Sequence, residues 1–375
     1  MKKILYTLAL LGTVTSCIYS YDPDLESNEV NDILVVDGEI ILGGTSVINL
    51  SRITPLTGED PGTPKGTAWV EDDAGSRFES SATATSTIEI PTETAALGHN
   101  YRAHILVGGE EYVSEWLTPK PAPEIQGISF STSNNQVYVL LTMDAGEEGT
   151  GYIGLTFEET WEFHSDFETE YIIDPNTWMF LPMMGEYPYY WCWQTARSKD
   201  MTLVDYTMLK SRQINNRNVL SFSRYSNRNH KKYSILVKAR TLSQEAYAYR
   251  NYIQDLSNVG GDLFTPEPGT LKGNLHCESN EDLRVVGLVN AATISSKRAF
   301  MGASYLLPRK PDESILTLLT PDQYPYYYNT LNYRPVKDIN RDSGSGVGWG
   351  PERCINCIVA GGTQEKPDFW DDVEI

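Results

Sequence analysis

No stretch of the 375 residues stays apolar for the ~20 positions that a membrane-spanning helix needs. Positive charge is scarce: 30 Lys and Arg stand against 50 Asp and Glu, for a formal charge of -20. Such a surface repels nucleic acid and anionic headgroups, so neither is an expected partner. Histidine is scarcer still, and none of His99, His104, His164, His230 and His276 has a G-x-S-x-G serine or comparable partner nearby. The run Gly344-Ser345-Gly346-Val347-Gly348 lacks the lysine and following helix of a phosphate loop and reads as a mobile loop. These absences leave no catalytic constellation and no cofactor motif. Helical periodicity is also nearly absent, which points to a β protein.

What is present begins at the N-terminus, MKKILYTLALLGTVTSC. Lys2 and Lys3 form a short positive region, and residues 4–12 form an apolar run of secretory-signal length. Val14-Thr15-Ser16-Cys17 resembles the bacterial lipobox, with Val and Ser where Leu and Gly or Ala are commoner. Cys17 is therefore the expected lipid-attachment site, residues 1–16 a cleaved signal, and residues 17–31, polar and acidic, a tether. The alternative is an ordinary signal cleaved near Ser16, with Cys17 as a disulfide partner. Cysteine arithmetic favours the anchor, because five cysteines in an exported chain leave one over. Lipidating Cys17 leaves Cys192, Cys277, Cys354 and Cys357, which are expected to form two disulfides, with long-range bridges to the Cys354/Cys357 pair favoured over a local bond between them. The same residues with His276 would make a zinc set, but an oxidising compartment favours disulfides. Removing residues 1–16 takes the basic count from 30 to 28 against 50 acidic residues, hence -22.

Short strands with turn signals fill residues 32–118: an apolar run at 33–41 meets Gly43-Gly44, Asp72-Asp73-Ala74-Gly75 ends another strand, and Gly108-Gly109 joins a third pair. This spacing predicts an immunoglobulin-like β-sandwich, closed by the Pro-rich linker at 119–124. Residues 125–375 begin again in β. A turn at Asn134-Asn135 joins two strands, and residues 152–164 place Ile153, Leu155, Phe157, Trp161 and Phe163 on one face, with Glu159 interrupting it at an edge or in a pair. Further strands are predicted at 219–222, 233–237, 284–289 and 299–305, and one helix at 244–256 with Ser243 as its N-cap. Residues 165–215 and 306–353 read as long insertions. The fold class is mainly β, an N-terminal sandwich followed by a larger sandwich-like domain with long loops and one helix.

The order C-I-Y-S-Y-D-P-D-L, L-V-V-D-G-E-I, L-S-R-I-T-P-L, S-Q-E-A-Y-A-Y, L-K-G-N-L-H-C with V-V-G-L-V-N-A, and C-I-N-C-I-V-A-G-G-T-Q-E-K-P-D-F-W resembles a family of Bacteroidota outer-membrane lipoproteins. That family carries a domain of unknown function and is often encoded beside TonB-dependent receptors. The resemblance implies an address at the cell outer membrane, held by acyl chains, and the acidic residues after Cys17, Asp22 and Asp24, point to the surface rather than the periplasm, because surface lipoproteins of Bacteroidota often carry acidic export signals. It implies no reaction.

Carboxylates cluster at Glu158, Glu159, Glu162, Asp166, Glu168 and Glu170, a pattern that suits glycoside hydrolysis but that solvated strand edges also produce. The Asp72-to-Gly75 run lacks calcium-loop spacing and reads as a hairpin turn. Two aromatic runs remain. Trp191 and Trp193 read as packing, with Cys192 stapling their loop; Tyr324, Tyr326, Tyr327 and Tyr328 are the candidate partner-binding residues, because Tyr supplies large, rigid contact area. The expected function is a non-enzymatic accessory or binding component beside an outer-membrane partner such as a TonB-dependent receptor. The alternative is a surface hydrolase acting on glycan or peptide.

Overall fold

The computed structural model describes residues 33–53, 62–146, 151–209, 212–258, 273–307 and 310–371. Cys17, the signal and the tether lie outside the described residues. The first sandwich contains β1 (Leu34–Ile41), β2 (Gly44–Arg52), β3 (Gly66–Asp72), β4 (Arg77–Glu79), β5 (Thr87–Thr92), β6 (Tyr101–Val107) and β7 (Glu110–Ser114). Period-two alternation decides which side each strand buries: Leu34, Val36 and Ile40 of β1 meet Ala68 and Val70 of β3 and Ala103 and Ile105 of β6 in one core. Tyr101, at the start of β6, donates to Ala96 O at 2.7 Å, the corner bond found in β-sandwiches.

The second unit follows with β8 (Glu124–Ser133), β9 (Gln136–Asp144), β10 (Tyr152–His164), β11 (Tyr171–Ile173), β12 (Phe180–Pro182), β13 (Trp191–Arg197), β14 (Thr202–Asp205), β15 (Gln213–Ser223), β16 (Lys232–Thr241) and helix α1 (Gln244–Asn258). Asn134 and Asn135 turn β8 into β9 with φ of 50° and 59°, as the sequence predicts for a two-residue hairpin. Ser243 Oγ accepts from Ala246 N at 3.0 Å and caps α1 as expected. The order β13-β10-β16-β19, with β14 also on β10, faces the order β15-β9-β8 across a core that includes Leu155, Phe157, Phe163, Leu141 and Val237.

Beyond α1 the chain does not stay in the second unit. Strands β17 (Leu275–Cys277) and β18 (Val285–Ala292) return to the first sandwich, and only β19 (Ser295–Phe300) rejoins the second. β18 pairs in parallel with β1, and β17 pairs antiparallel with β7, giving sheets ordered β18-β1-β2-β5 and β17-β7-β6-β3-β4. Residues 32–118 are therefore not the whole first sandwich, because β18 extends the β1 sheet and adds Val289 and Ala291 to its core. Close approach demands glycine here: a Cβ on Gly287 would lie 1.9 Å from Val36 O. The Pro-rich linker is strapped down from both units, with Ala122 N donating to Thr293 Oγ1 just past β18 at 2.7 Å and Thr241 Oγ1 of β16 donating to Pro121 O at 2.7 Å.

The region read as insertions is regular structure. β20 (Thr317–Leu318), helix α2 (Tyr324–Asn329), β21 (Tyr333–Arg341) and β22 (Gly344–Pro351) form a small sheet ordered β20-β22-β21. The glycine run expected as a mobile loop lies inside β22, where the missing side chains at Gly348 and Gly350 leave room for Ile339 and Leu316. The strand predicted at 299–305 ends at Phe300, and residues 303–305 make a 3₁₀ turn.

Candidate interaction surface

The C-terminal sheet is held to the second sandwich by one disulfide, Cys192–Cys357, which joins β13 to the segment after β22. Cys192 and Cys357 are both fully buried, so the staple sits inside the packing rather than on a loop. The second expected bridge is not formed: Cys277 and Cys354 are free thiols. The reason is placement, since Cys277 belongs to the core of the first sandwich and Cys354 to a small cluster with Leu316, Val336 and Ile355. The same separation rules out a joint zinc set of Cys277, Cys354, Cys357 and His276.

The β11–β12 hairpin lies on β21. Thr169 Oγ1 donates to Pro335 O at 2.8 Å, Glu170 N to Val336 O at 2.7 Å, and Tyr171 OH to Asp338 Oδ2 at 2.8 Å. Asp174 shapes the turn by accepting from Asn176 N at 2.9 Å and Thr177 Oγ1 at 2.8 Å. Trp178 then adopts φ 58°, a left-handed conformation that costs a bulky residue about 1–3 kcal/mol. Its ring compensates by meeting Tyr328 edge-on, with centroids 5.8 Å apart.

The four tyrosines expected to be a loop form the helix α2, started by Pro325 in its first turn. Tyr324 stacks on Trp349 at 4.9 Å and meets Phe180 edge-on at 5.5 Å. Tyr328 lies under the Arg334 guanidinium at 4.0 Å, and Tyr327 packs edge-on against Tyr333 at 5.2 Å. Tyr326 is the exposed one, at 56%. Thus a helix sorts into packing and contact what a loop would have left together.

Beside it, the outer face of the hairpin carries residues the sequence reading passed over. Ile172 and Leu181 stand opposite each other in register and are 49% and 51% exposed. Met179, two residues before Leu181, is 62% exposed, and Met184 is 86% exposed. A signal for this existed in the run M-F-L-P-M-M at 179–184, whose apolar residues outnumber the positions a two-stranded hairpin can bury. Trp191 is 38% exposed yet packs edge-on against His164 at 5.0 Å, with the Lys231 ammonium 4.1 Å from its ring, and Trp193 N and O pair with Thr363.

Glu158, Glu159 and Glu162 of the carboxylate cluster are committed to ion pairs. Glu158 takes Arg197 at 3.0 Å and Arg298 at 3.2 Å, and Glu159 takes Arg228 at 2.8 Å. Glu162 takes Lys231 at 2.5 Å and accepts from Trp370 Nε1 at 3.0 Å. A hollow of about 400 Å³ at the end of β10 is lined by His164, Asp166, Asp312, Arg353 and Cys354. Burial, with Asp166 nearby, pushes the Cys354 thiol up, the reverse of what a nucleophilic cysteine needs.

No curated protein matches the chain. Among solved structures, a two fibronectin type-III domain segment from chicken tenascin aligns with 54% of this chain and 88% of its own at 9% identity, with a TM-score of 0.17. A family model does match, over residues 18–298, which takes in the first sandwich, the hairpin and the second sandwich as far as β19 and stops before α2. The chain belongs to that family, the domain of unknown function DUF4249, known from Bacteroidota outer-membrane lipoproteins and often found near TonB-dependent receptor genes.

Proposed function

We propose that the protein is an acyl-anchored outer-membrane lipoprotein, facing the cell surface, that serves as a non-enzymatic binding component beside an outer-membrane protein such as a TonB-dependent receptor. The observation that carries this reading is the exposed Ile172–Leu181 pair with Met179 and Tyr326, mounted on a hairpin and helix that aromatic packing and the Cys192–Cys357 bond hold in place. Rigid apolar and aromatic area is what protein contact surfaces use, because little side-chain freedom is lost on docking. Family membership supports the envelope address. The hydrolase alternative has in its favour the hollow at the end of β10, where Asp166 and Asp312 line one cleft, while the raised Cys354 thiol works against a cysteine nucleophile there.

The test is the triple variant Ile172→Asp, Leu181→Asp, Tyr326→Ala, chosen because these side chains face solvent and their loss spares the core. Crosslinking and co-purification from native membranes are expected to lose the partner, a weakening of about 2 kcal/mol or more if one of the three is a hot spot. The melting temperature is expected to stay that of the wild type. Retention of the partner by the variant removes the surface from the proposal, and turnover of a glycan or peptide by the purified protein overturns the non-enzymatic reading.

A further inference from the structure

The outer face of the five-stranded sheet in the first sandwich gathers carboxylates around one buried imidazole. Register places Trp69 and Glu71 of β3, His104 of β6 and Glu111 of β7 on that face. Glu278, just past β17, joins them by donating its backbone N–H to Glu111 O at 2.8 Å. His104 is 5% exposed and lies flat on Trp69, centroids 4.8 Å apart and planes 9° apart. Its Nδ1 is 2.7 Å from Glu111 Oε1, and its Nε2 is 3.2 Å from Glu71 Oε1. One ligand atom from each of His104, Glu111 and Glu278 lies within 4.8 Å of the other two.

Carboxylates alone would read as a solvated acidic face. The imidazole changes the argument. Its buried Nε2 makes no aligned hydrogen bond, even though the Glu71 carboxylate is near. Two cations share this face and both are committed elsewhere, Arg102 to Glu71 at 2.5 Å and Arg77 to Glu79 at 2.9 Å and to the Trp69 ring at 4.2 Å, which leaves the carboxylates of Glu111 and Glu278 beside Nδ1. One imidazole nitrogen with two carboxylates is a donor set for a borderline divalent cation such as zinc. Metal-bound histidines usually place a carboxylate on the opposite ring nitrogen, which fixes the tautomer; Glu71 stands in that place, and a small swing of the ring toward an ion at Nδ1 would align it.

We propose that His104 Nδ1 and one oxygen each of Glu111 and Glu278 form a divalent-cation site of the zinc class, oriented by Glu71 and open to solvent at a fourth position. Glu278 comes from the late segment that returns to this sheet, so the ion pins β17 onto β7 and closes the sandwich edge. The rival occupant is a proton, since an imidazolium bridging Glu71 and Glu111 fits the same nitrogens.

The purified chain, free of any histidine tag, is stripped with EDTA and dialysed against zinc chloride. One zinc per chain is expected, with a raised melting temperature and an X-ray absorption shell of nitrogen and oxygen only. Glu278→Gln, at an exposed position, and Glu111→Gln are each expected to weaken zinc binding by about tenfold or more, and Cys277→Ala and Cys354→Ala to leave it unchanged. Failure to retain stoichiometric zinc overturns the proposal in favour of the bridging proton. Unchanged affinity in both Glu278→Gln and His104→Gln overturns it as well, by placing the zinc elsewhere.

Discussion

Glu159 occupies an inward position of β10, a central strand, where an unpaired carboxylate would be prohibitive. The chain resolves this with a fully used side chain: Arg228 donates from Nε at 2.8 Å and Nη2 at 3.2 Å, and Tyr233 OH donates at 2.8 Å. Arg228 in turn covers Trp161 at 4.6 Å. Removing the carboxylate with Glu159→Ala strands a half-buried guanidinium and a buried phenol, and is expected to cost about 2–4 kcal/mol in urea denaturation. Tyr233 gives a pH signature. Burial, then the Glu159 charge, pushes its phenol well above the usual range. Above about pH 10 the unfolded chain releases that proton while the native chain keeps it, so stability falls as pH rises through this window. Tyr233→Phe is expected to flatten the alkaline limb of a stability-versus-pH curve. That Glu159 needs a partner is readable from the two-residue period alone. That the partner is Arg228 is not, because it arrives through a 3₁₀ turn, Asn227–Asn229, with no periodicity to announce it.

At the scale of elements, the alternating strands of both sandwiches were legible because one face of each is buried and register then fixes every side chain. The hairpin β11–β12, α2 and β22 were not. β11 and β12 are three residues long and β22 is rich in glycine, so the period has little over which to show, and tertiary contacts with β21 decide their state. The cysteines were half legible. Export chemistry argues for oxidation, yet which thiols meet depends on the crossing of β13 with the C-terminal segment. Mass mapping without reductant is expected to find one bridge, Cys192–Cys357, and two protected thiols that react with a maleimide only on unfolding. Reduction, or Cys357→Ser, releases a loop of 165 residues' separation and is expected to cost about 3–5 kcal/mol in the loop-entropy account. Two bridges in the folded protein would contradict the pairing.

At the scale of the whole molecule, the sandwiches are joined by more than the linker. Arg240 of β16 is buried against Glu39 of β1 and donates to Thr156 Oγ1 at 2.8 Å, while Arg250 of α1 reaches Asp37 at 3.1 Å. Burial and the nearby Arg250 charge pull Arg240 down to about 10, which leaves it a cation at neutral pH and keeps the contact ionic. With β17 and β18 crossing back, the chain passes between the units three times, and separate domain boundaries read from a single linker could not show this. Among the described residues no helix is long and apolar enough to cross one, and a formal charge of -20 opposes adsorption to anionic headgroups. On the proposed reading, attachment rests on acyl chains at Cys17 and a tether of residues 17–31, which at ~3.5 Å per residue reaches at most about 50 Å. Each buried methylene contributes about 0.8 kcal/mol, so the chains together anchor firmly, and deleting one thiol deletes them all. Cys17→Ser is therefore expected to shift the protein from the membrane pellet to the soluble fraction, or to leave it carrying its signal, with the sandwich melting transition unchanged. Equal pelleting of the variant, together with no lipid mass on the wild-type N-terminus, would sink the anchor and with it the claim that the acidic body stands off the membrane to present its hairpin to a neighbour.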